Sequence, residues 1–332
     1  MAKKRMIQAI NETLHSEMAR DSKVILFGED VEISLFGDTR GLKDAHGADR
    51  VRNMPISETV MSGMAVGAAA AGYKVVCHMM FGNFMYTGFD SIANQACKLR
   101  YMTAGQISLP IVYMGVFGGG RAAAAQHSDA MHPMFMNLGG IKVALPASPA
   151  DAAGLLRAAI RDPNPVMFLQ AAGRGGESGE VPDGELFIEL GKATTVHPGD
   201  DVTVVAIGAM VRPALKAAEK LAQDGISVDL IDPRTVVPLD KEAIFASVRK
   251  TGRLVLVDEA RDMCSAASQI AAICADECFD ALKARIRRVT VPDMALPYAP
   301  VLEKAMLPNE TSISNAVRQV LGKTTVEENQ IP

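Results

Sequence analysis

The stretch Pro55-Ile56-Ser57-Glu58 places one acidic residue at the start of a segment, Met61 to Gly72, that is almost entirely small and apolar. Ser57 is a favourable helix N-cap, so Glu58 is predicted to lie in the first helical turn. A carboxylate there can complement the unpaired N–H groups of the helix start. It can also face an apolar cleft and share a proton with a bound molecule. The stretch alone favours capping, but the rest of the chain reverses that preference.

The composition indicates an α/β protein with a large core. The chain has 332 residues, enough for two domains or one large α/β unit. Hydrophobic residues make up 48% and aromatic residues only 5%, with no tryptophan. A core built from Ala, Val, Ile and Met is typical of buried parallel strands and closely packed helices.

Charge and hydropathy exclude several classes of function. The net charge is -4, and the only basic cluster is Lys3-Lys4-Arg5, which argues against a nucleic-acid partner. No window of about 20 residues is apolar enough to span a membrane, and no signal peptide follows the basic start. The odd set of five cysteines, Cys77, Cys97, Cys264, Cys274 and Cys278, predicts a reducing, cytoplasmic location. Cys274 and Cys278 are one helical turn apart, which favours a shared packed face over a metal.

Short apolar strands alternate with helices along most of the chain, which predicts mostly parallel sheets covered on both faces. The predicted strands are Lys23–Phe27, Lys74–His78, Pro110–Met114, Ile141–Leu145, Val166–Leu169, Val202–Ile207, Ser227–Ile231, Leu254–Val257 and Ile286–Thr290. The predicted helices are Met6–Met18, Glu58–Ala71, Gly88–Met102, Ser148–Ile160, Arg212–Gln223, Lys241–Val248 and Ser265–Leu282.

The Gly- and Ala-rich residues 171–185 are predicted to be a loop or linker between two domains. The polar residues 323–332 predict a frayed end. Gly63 and Gly67 share one face of the small-residue helix. Because glycine weakens a helix, their presence predicts that another backbone packs very close, and this helix is the candidate for contact with another subunit.

Two polar motifs follow the strand at Pro110. Gly118-Gly119-Gly120 can cradle a phosphate, but it matches neither common nucleotide loop, and a tight turn is slightly favoured. His127, after four alanines, lies where open α/β sheets bind ligands, so a proton-transfer role competes with a structural one. The spacing of His127 and His132 argues against a metal.

Two further stretches have a structural and a functional interpretation. Met79, Met80, Phe81 and Phe84 form an apolar run that is either core or a wall against a flat heterocycle. Residues 160–165, Ile-Arg-Asp-Pro-Asn-Pro, end a helix, and turn chemistry explains them adequately. A carbonyl-rich ion site is the alternative for this turn.

The order of several short stretches identifies a family. They are Gly28-Glu29-Asp30, Thr39-Arg40-Gly41-Leu42, Pro55-Ile56-Ser57-Glu58, Asn94-Gln95-Ala96-Cys97-Lys98, Tyr101-Met102, Ala125-Gln126-His127-Ser128, Ile160 to Pro165, Ile231-Asp232-Pro233-Arg234-Thr235, Pro238-Leu239-Asp240, Lys250-Thr251-Gly252-Arg253, Val257-Asp258-Glu259-Ala260 and Leu296-Pro297-Tyr298. Together they resemble the beta subunit of the thiamine-diphosphate-dependent decarboxylase component of pyruvate, branched-chain 2-oxo acid and acetoin dehydrogenases. The resemblance runs from about residue 4 to residue 322, and residues 258–286 resemble the acetoin branch most.

The resemblance implies two parallel-sheet α/β domains: a transketolase-like pyrimidine-binding domain with its linker at residues 1–185 and a transketolase C-terminal domain at 186–332. It also implies an alpha subunit that holds the diphosphate and its magnesium, because this chain has no Gly-Asp-Gly motif. A second beta subunit would complete an alpha2beta2 assembly. The acyl group would pass to lipoyl on an acyltransferase core.

The resemblance also assigns roles to residues. Glu58 would hydrogen-bond the far nitrogen of the aminopyrimidine and drive its imino form, and burial near Met80 and Phe84 would favour proton sharing. Glu29 would join Glu58 in the cofactor site, and His127 would take the place of the active-site histidine. A structural monovalent-cation site, potassium in character, is implied at Ile111, Ala159, Ile160, Asp162 and Asn164.

Three departures from the family put the substrate in doubt. Met114 stands where the family usually has an arginine, and Phe36-Gly37-Asp38 is shorter than the usual loop. After Leu169, a Gln-Ala-Ala-Gly-Arg-Gly-Gly run (residues 170–176) replaces a bulky basic and aromatic one. A charge and a bulky loop are thus expected to be missing near the substrate entrance.

Two alternative functions remain open at the level of sequence. The first is a non-catalytic assembly or regulatory subunit, since a fold alone does not confer activity. The second is a transketolase-type transferase split into two chains, which would need no lipoyl partner.

Overall fold

The computed structural model describes residues 1–325 and contains two compact units. Unit 1 comprises residues 1–117 and 134–190, and unit 2 comprises residues 118–133 and the chain from residue 191 onward. The segment that carries His127 therefore belongs to unit 2. The division into domains at residue 185 stays a prediction, and residues 326–332 of the predicted frayed end lie outside the described residues.

The strands are β1 Ala2–Arg5, β2 Val24–Gly28, β3 Val51–Asn53, β4 Lys74–Phe81, β5 Ile111–Phe117, β6 Lys142–Ala144, β7 Val166–Ala171, β8 Ser178–Val181, β9 Thr194–His197, β10 Val202–Ala206, β11 Val228–Asp232, β12 Thr235–Val237, β13 Leu254–Arg261 and β14 Arg287–Val291. The α-helices are α1 Met6–Arg20, α2 Leu42–His46, α3 Glu58–Ala70, α4 Leu99–Met102, α5 His132–Met136, α6 Pro149–Arg161, α7 Val211–Gln223, α8 Lys241–Thr251, α9 Ala266–Glu277, α10 Pro300–Met306 and α11 Glu310–Val320.

The sheet of unit 1 is parallel, with the order β6-β7-β5-β4-β2-β3. Every residue of β5 is buried, as expected for a central strand covered by helices on both faces. Helices α1 and α6 contribute Ile10, Leu14, Leu155 and Leu156 to the core that the strands complete. The parallel α/β fold predicted from the strand–helix alternation is confirmed.

The sheet of unit 2 has the order β14-β13-β10-β11-β9. Its strands are parallel except for β9, which pairs antiparallel with β11. Its helices begin at caps that the sequence encodes: Asp240 accepts from the Ala243 N–H, and Ser265 accepts from the Ser268 N–H. Among the residues that the structure describes, none of the helices has the length and hydropathy needed to cross a membrane.

Three predicted elements are wrong in extent or type. The segment predicted as one helix at 88–102 is helical over most of its length, but it is not one continuous α-helix: a π-helical segment, Ser91–Ala96, precedes the short helix α4. The loop predicted at 171–185 contains β8, which pairs antiparallel with β1. The helix predicted to reach Leu282 ends at Glu277. The β1–β8 pairing joins segments that are far apart in sequence, so no local sequence pattern predicts it.

The two glycines of α3 have different surroundings. A Cβ at Gly63 would lie 3.3 Å from Ser91 Oγ, so this glycine does pack against a close neighbour. A Cβ at Gly67 would meet nothing within 4 Å, and Gly67 is exposed. Among the described residues, no other backbone lies within 4 Å of a Cβ at either glycine, so close packing of another backbone stays a prediction for a partner subunit.

Replacing Gly28 with alanine should destabilise unit 1 by about 2–4 kcal/mol. A Cβ at Gly28 would lie 2.1 Å from the carbonyl oxygen of His78, so β2 and β4 would have to separate. Urea unfolding of both proteins measures the effect. The control is Gly139→Ala, whose Cβ meets nothing within 4 Å. Equal unfolding midpoints for the two variants would contradict this account.

Candidate active site

Four predicted site residues lie at or next to the carboxyl ends of neighbouring parallel strands in unit 1. Glu29 follows β2, Met80 lies near the end of β4, and Phe84 lies in the 3-10 turn Gly82–Tyr86. Glu58 is the first residue of α3. Open α/β sheets bind their ligands at this edge, so the position suits a site.

Glu29 and Glu58 form a carboxyl pair. Glu29 is 5% exposed, and its Oε1 has no hydrogen-bond partner among the described residues. Its pKa is raised from 4.5 to about 7, first by burial and then by the charge of Glu58 and a hydrogen bond with it. Because two ionised carboxylates cannot hydrogen-bond each other, this hydrogen bond requires a proton on Glu29, which a pKa of about 7 allows below neutral pH.

Glu58 is half-buried and is held from one side by a loop residue. The Thr87 hydroxyl lies 3.4 Å from Glu58 Oε2 and donates to the Phe84 carbonyl at 2.8 Å. This places Phe84 beside the carboxyl pair. Ser57 occupies the predicted N-cap position of α3, but its side chain forms no capping hydrogen bond within the part of the chain that the structure describes.

A buried group next to this pair was missed by the sequence analysis. His78 Nε2 lies 2.9 Å from Asp38 Oδ2, and both side chains are almost fully buried. Gln170 Nε2 donates to the same carboxylate oxygen at 3.2 Å. The only local signal was a histidine inside an apolar strand. Its partners come from a loop and from β7, so only the fold brings them together.

His78 and Asp38 shift each other's pKa toward the charged forms. Burial by itself would raise the pKa of Asp38, but the charge and hydrogen bond of His78 hold it below its ordinary value. Burial would likewise lower the pKa of His78, but Asp38 raises it. The charge of His78 in turn opposes the rise in the pKa of Glu29.

Met80 has a strained backbone that His78 supports. Its φ is 56°, which is rare for a long side chain, and the register of β4 against β5 shifts at this point. The Met80 N–H donates to His78 Nδ1 at 3.3 Å. When His78 is neutral, this contact selects the tautomer that carries its hydrogen on Nε2, toward Asp38. Met80, His78 and Glu29 line one small cleft.

The predicted apolar run contains two aromatic rings, Phe81 and Phe84, and the Phe36 ring packs against the first of them. The Phe36 and Phe81 rings meet edge to face at 5.5 Å, and Phe81 meets Phe84 at the same distance. Phe84 and Met80 are half-buried, while Met79 is in the core. Within the run, Met79 therefore packs inward and Met80 lines the cleft, and a wall against a flat heterocycle stays a prediction.

His127 is not in unit 1 with Glu58. It ends the 3-10 turn Ala125–His127 in the segment of unit 2 that follows β5. Its side chain is half-buried, and its N–H donates to the Ala124 carbonyl at 3.3 Å. His132, which precedes Pro133, instead pairs with the buried Asp258 at 3.2 Å.

The residues of the implied cation site form a turn at the end of α6. Asp162 Oδ1 accepts from the Asn164 N–H at 2.9 Å and from Asn164 Nδ2 at 3.0 Å, while Lys142 forms an ion pair with Oδ2. The Asp162 N–H donates to the Ala159 carbonyl at 3.3 Å. Turn chemistry accounts for these contacts, and a bound cation would compete with the Lys142 ammonium.

Two of the sequence departures lie in the interior of unit 1. Met114 is fully buried in its core, and the expectation that a charge is missing near the substrate entrance stays a prediction. Gln170, the first residue after Met167-Phe168-Leu169, is a buried partner of Asp38. An amide fits there because it donates to a carboxylate without adding a second negative charge.

Two family models match the chain in order. The pyrimidine binding domain of transketolase matches residues 2–172, and the transketolase C-terminal domain matches residues 191–313. Their order agrees with the order of domains that the sequence predicted.

Relatives and one solved structure extend along nearly the whole chain. The chain is 41% identical over 332 residues to the acetoin:2,6-dichlorophenolindophenol oxidoreductase subunit beta of Bacillus subtilis (strain 168), covering 96% of this chain and 97% of the relative. It is 39% identical over 325 residues to the pyruvate dehydrogenase E1 component subunit beta of the same strain, covering 97% and 99%. A split-gene transketolase, solved as an inactive beta4 tetramer, matches with a TM-score of 0.79, 24% identity and coverage of 96% and 98%, which shows the fold alone.

Replacing Glu29 with glutamine should remove a pH dependence of stability. Because the pKa of Glu29 is raised to about 7, the folded chain binds more protons than the unfolded chain between pH 4.5 and 7. The stability that Glu29 contributes is complete below pH 4.5 and is lost as the pH rises through 7. Wild type should lose roughly 1–3 kcal/mol relative to Glu29→Gln over this interval.

Urea unfolding at a series of pH values between about 5 and 8 measures this difference. The matched control is Glu219→Gln on the exposed face of α7. A constant difference in unfolding free energy between wild type and Glu29→Gln at every pH would contradict the raised pKa.

Proposed function

The chain belongs to the transketolase-like family of beta subunits of acetoin and 2-oxo acid dehydrogenases, and we propose that it supplies the pyrimidine side of a thiamine-diphosphate site. The observation that carries this proposal is the Glu29–Glu58 carboxyl pair: Glu29 lines a small cleft with Met80, and Glu58 contacts Thr87, which is bonded to the Phe84 carbonyl. The donor substrate is a 2-oxo acid or an acetoin-type ketone.

The residues present fit the aminopyrimidine of the cofactor. A heterocycle with a basic ring nitrogen needs a carboxyl group that can give and take a proton, and the paired carboxyls provide one. A flat ring needs an apolar wall, and Met80 and Phe84 border the same place with part of their surface exposed. The unpaired Oε1 of Glu29 is a further polar atom open to a partner.

Glu58 would hold a proton at the far ring nitrogen of the pyrimidine. Glu29 would exchange that proton with Glu58. When bound, thiamine diphosphate supplies a nucleophilic carbon and an electron sink for cleavage of the bond next to the carbonyl. Glu29, with a pKa of about 7, is suited to exchange a proton at neutral pH. Met80 and Phe84 would orient the ring and exclude water from it.

His127 would transfer a proton to or from the substrate or the lipoyl disulfide. Its support is the position in the Ala-Gln-His-Ser motif, at the end of a short turn that fixes its backbone. The diphosphate and magnesium would bind to the alpha subunit, because the Gly-Asp-Gly motif of that site does not occur in this sequence.

The beta subunits of this family work with an alpha subunit, and we propose that helix α3 forms part of that contact or of the contact with a second beta subunit. Val60, Met64 and Gly67 are exposed and lie on one face of α3. Small and apolar residues at this spacing allow a partner helix to approach closely. In the assembly, an acyltransferase core would take the acyl group on lipoyl.

The proposal names only the class of substrate, a 2-oxo acid or an acetoin-type ketone. The identities of 41% and 39% to an acetoin-type and a pyruvate-type relative differ too little to separate a ketone from a 2-oxo acid. The buried Met114 argues against a direct contact of its side chain with the substrate.

The two alternative functions are not favoured. The relatives near 40% identity are named as dehydrogenase subunits, whereas the split-gene transketolase is 24% identical. A non-catalytic subunit would have no need for a proton-sharing carboxyl pair.

The location and the cation site are proposed with separate support. A cytoplasmic location is consistent with the five cysteines, all of which are free thiols in the described chain. The monovalent-cation site, potassium in the family resemblance, would require the Lys142 ammonium to leave Asp162 or to share it.

Replacing Glu58 with alanine should lower turnover at least about 100-fold without preventing assembly. The reason is that the ring nitrogen loses the group that holds its proton. The variant is co-expressed with the alpha chain, and calorimetry measures binding of thiamine diphosphate with magnesium. Turnover is then assayed with pyruvate, branched-chain 2-oxo acids and acetoin.

The matched control for this change is Glu242→Ala on the exposed start of α8. Substantial turnover by Glu58→Ala would contradict the role of Glu58. Failure of the wild-type assembly to bind the cofactor would contradict the proposed function itself.

Replacing Gly67 with leucine should weaken assembly while the chain still folds. A side chain at Gly67 meets nothing within 4 Å in this chain, and leucine is a better helix former than glycine by roughly 0.7 kcal/mol. Analytical ultracentrifugation with the alpha chain measures assembly. The control is Ala222→Leu on the exposed end of α7, and equal assembly of both variants would exclude this face of α3 as a subunit contact.

A further inference from the structure

The loop that leads to His127 is anchored at its base within unit 2. The Gly118 N–H donates to the Asp129 carbonyl at 3.1 Å and closes the loop. Arg261 Nη2 donates to Asp129 Oδ1 at 2.7 Å and ties this base to the end of β13. His127 lies two residues before Asp129.

A buried carboxylate accepts hydrogen bonds from the middle of the same loop. Glu303, in α10, is 3% exposed. Its Oε1 accepts from the Gly120 N–H at 2.9 Å, and its Oε2 accepts from the Ala122 N–H at 2.9 Å. Hydrogen bonds from backbone N–H groups to an ionised carboxylate are stronger than neutral ones, and here both oxygens are used.

These hydrogen bonds matter because the backbone of the loop is strained. Positive φ angles alternate along it: 83° at Gly118, 94° at Gly120, 52° at Ala122 and 61° at Ala124. An alanine in this region costs of order 1 kcal/mol or more, and it persists only where its surroundings enforce it. Successive N–H groups in such a conformation can line a hollow that binds an anion. Here the carboxylate of Glu303 is that anion.

The strained backbone is joined directly to His127. The His127 N–H donates to the carbonyl of Ala124, one of the two strained alanines. A change in the conformation of Ala122 or Ala124 therefore moves the turn that carries the histidine.

We propose that Glu303 is the positioning residue for His127: by holding the Gly120 and Ala122 amides, it fixes the loop conformation that aims the imidazole at the reacting group. This inference rests on the proposed function, in which His127 transfers a proton. Helix α10 of unit 2 would then position a catalytic group in addition to packing.

The first test measures the loop without any assay of activity. Glutamine has nearly the shape of glutamate, but it can accept only through one oxygen and turns N–H hydrogens toward the second amide. In the complex with the alpha chain, Glu303→Gln should speed amide hydrogen exchange in residues 118–127 at least about tenfold. Glu242→Gln should leave that exchange unchanged. Unchanged exchange in Glu303→Gln would overturn the anchoring role.

The second test asks whether the effect on catalysis passes through His127. We expect Glu303→Gln to lower kcat roughly 10- to 100-fold while thiamine diphosphate binds within about twofold of wild type. In the His127→Ala background, the same change should cost less than about twofold, because the residue it positions is gone. Glu303→Asp keeps both acceptor oxygens and should restore part of kcat.

The outcomes separate this inference from the proposed function. Losses that add independently in the double variant would overturn the positioning role alone. Full activity of His127→Ala would overturn both the positioning role and the proton-transfer role of His127. An equal loss of cofactor binding and kcat in Glu303→Gln would show a general structural defect and would also overturn the proposal.

Discussion

The hydrogen-bonded contact between the carboxyl groups of Glu29 and Glu58 is the interaction on which the rest of the candidate site depends. A carboxyl pair holds a proton near neutral pH only when at least one member is withdrawn from water and the two are in hydrogen-bond contact. Glu29, at the end of β2, is withdrawn from water. Glu58, at the start of α3, supplies the hydrogen-bond contact. The parallel sheet is therefore part of the chemistry, because it brings the two segments to the same edge.

The surroundings of this pair use further buried charge and strain. Asp38, His78 and Gln170 form a satisfied polar group inside unit 1, and His78 supports the strained backbone of Met80. A buried ionic group of this kind is weak evidence for extra stability, since its desolvation costs about as much as its attraction gains. Its value lies in fixing one arrangement of the cleft. Glu303 does the same for the His127 loop in unit 2.

Periodic segments were readable from the sequence, and pairings between distant segments were not. Helix α1 was predicted because its apolar residues recur every three or four positions, and the strand at Val202 because it is a short, almost continuous apolar run. The π-helical turn at Ser91 interrupts a segment whose apolar residues still suggest a helix. The β1–β8 pair has a polar, half-exposed pattern, so its hydrogen bonds depend on a partner about 175 residues away.

The sequence by itself determined the family, the parallel α/β fold and the candidate residues Glu29, Glu58, Met80, Phe84 and His127, because these follow from periodicity and from motifs that are local in the chain. Only the tertiary structure decided which side chains interact. It placed the raised pKa on Glu29, gave His78 its partners and set a carboxylate of α10 against the glycine loop. The physical reason is that burial and hydrogen bonding join residues that are distant in sequence, and both are settled only when the strands and helices have packed.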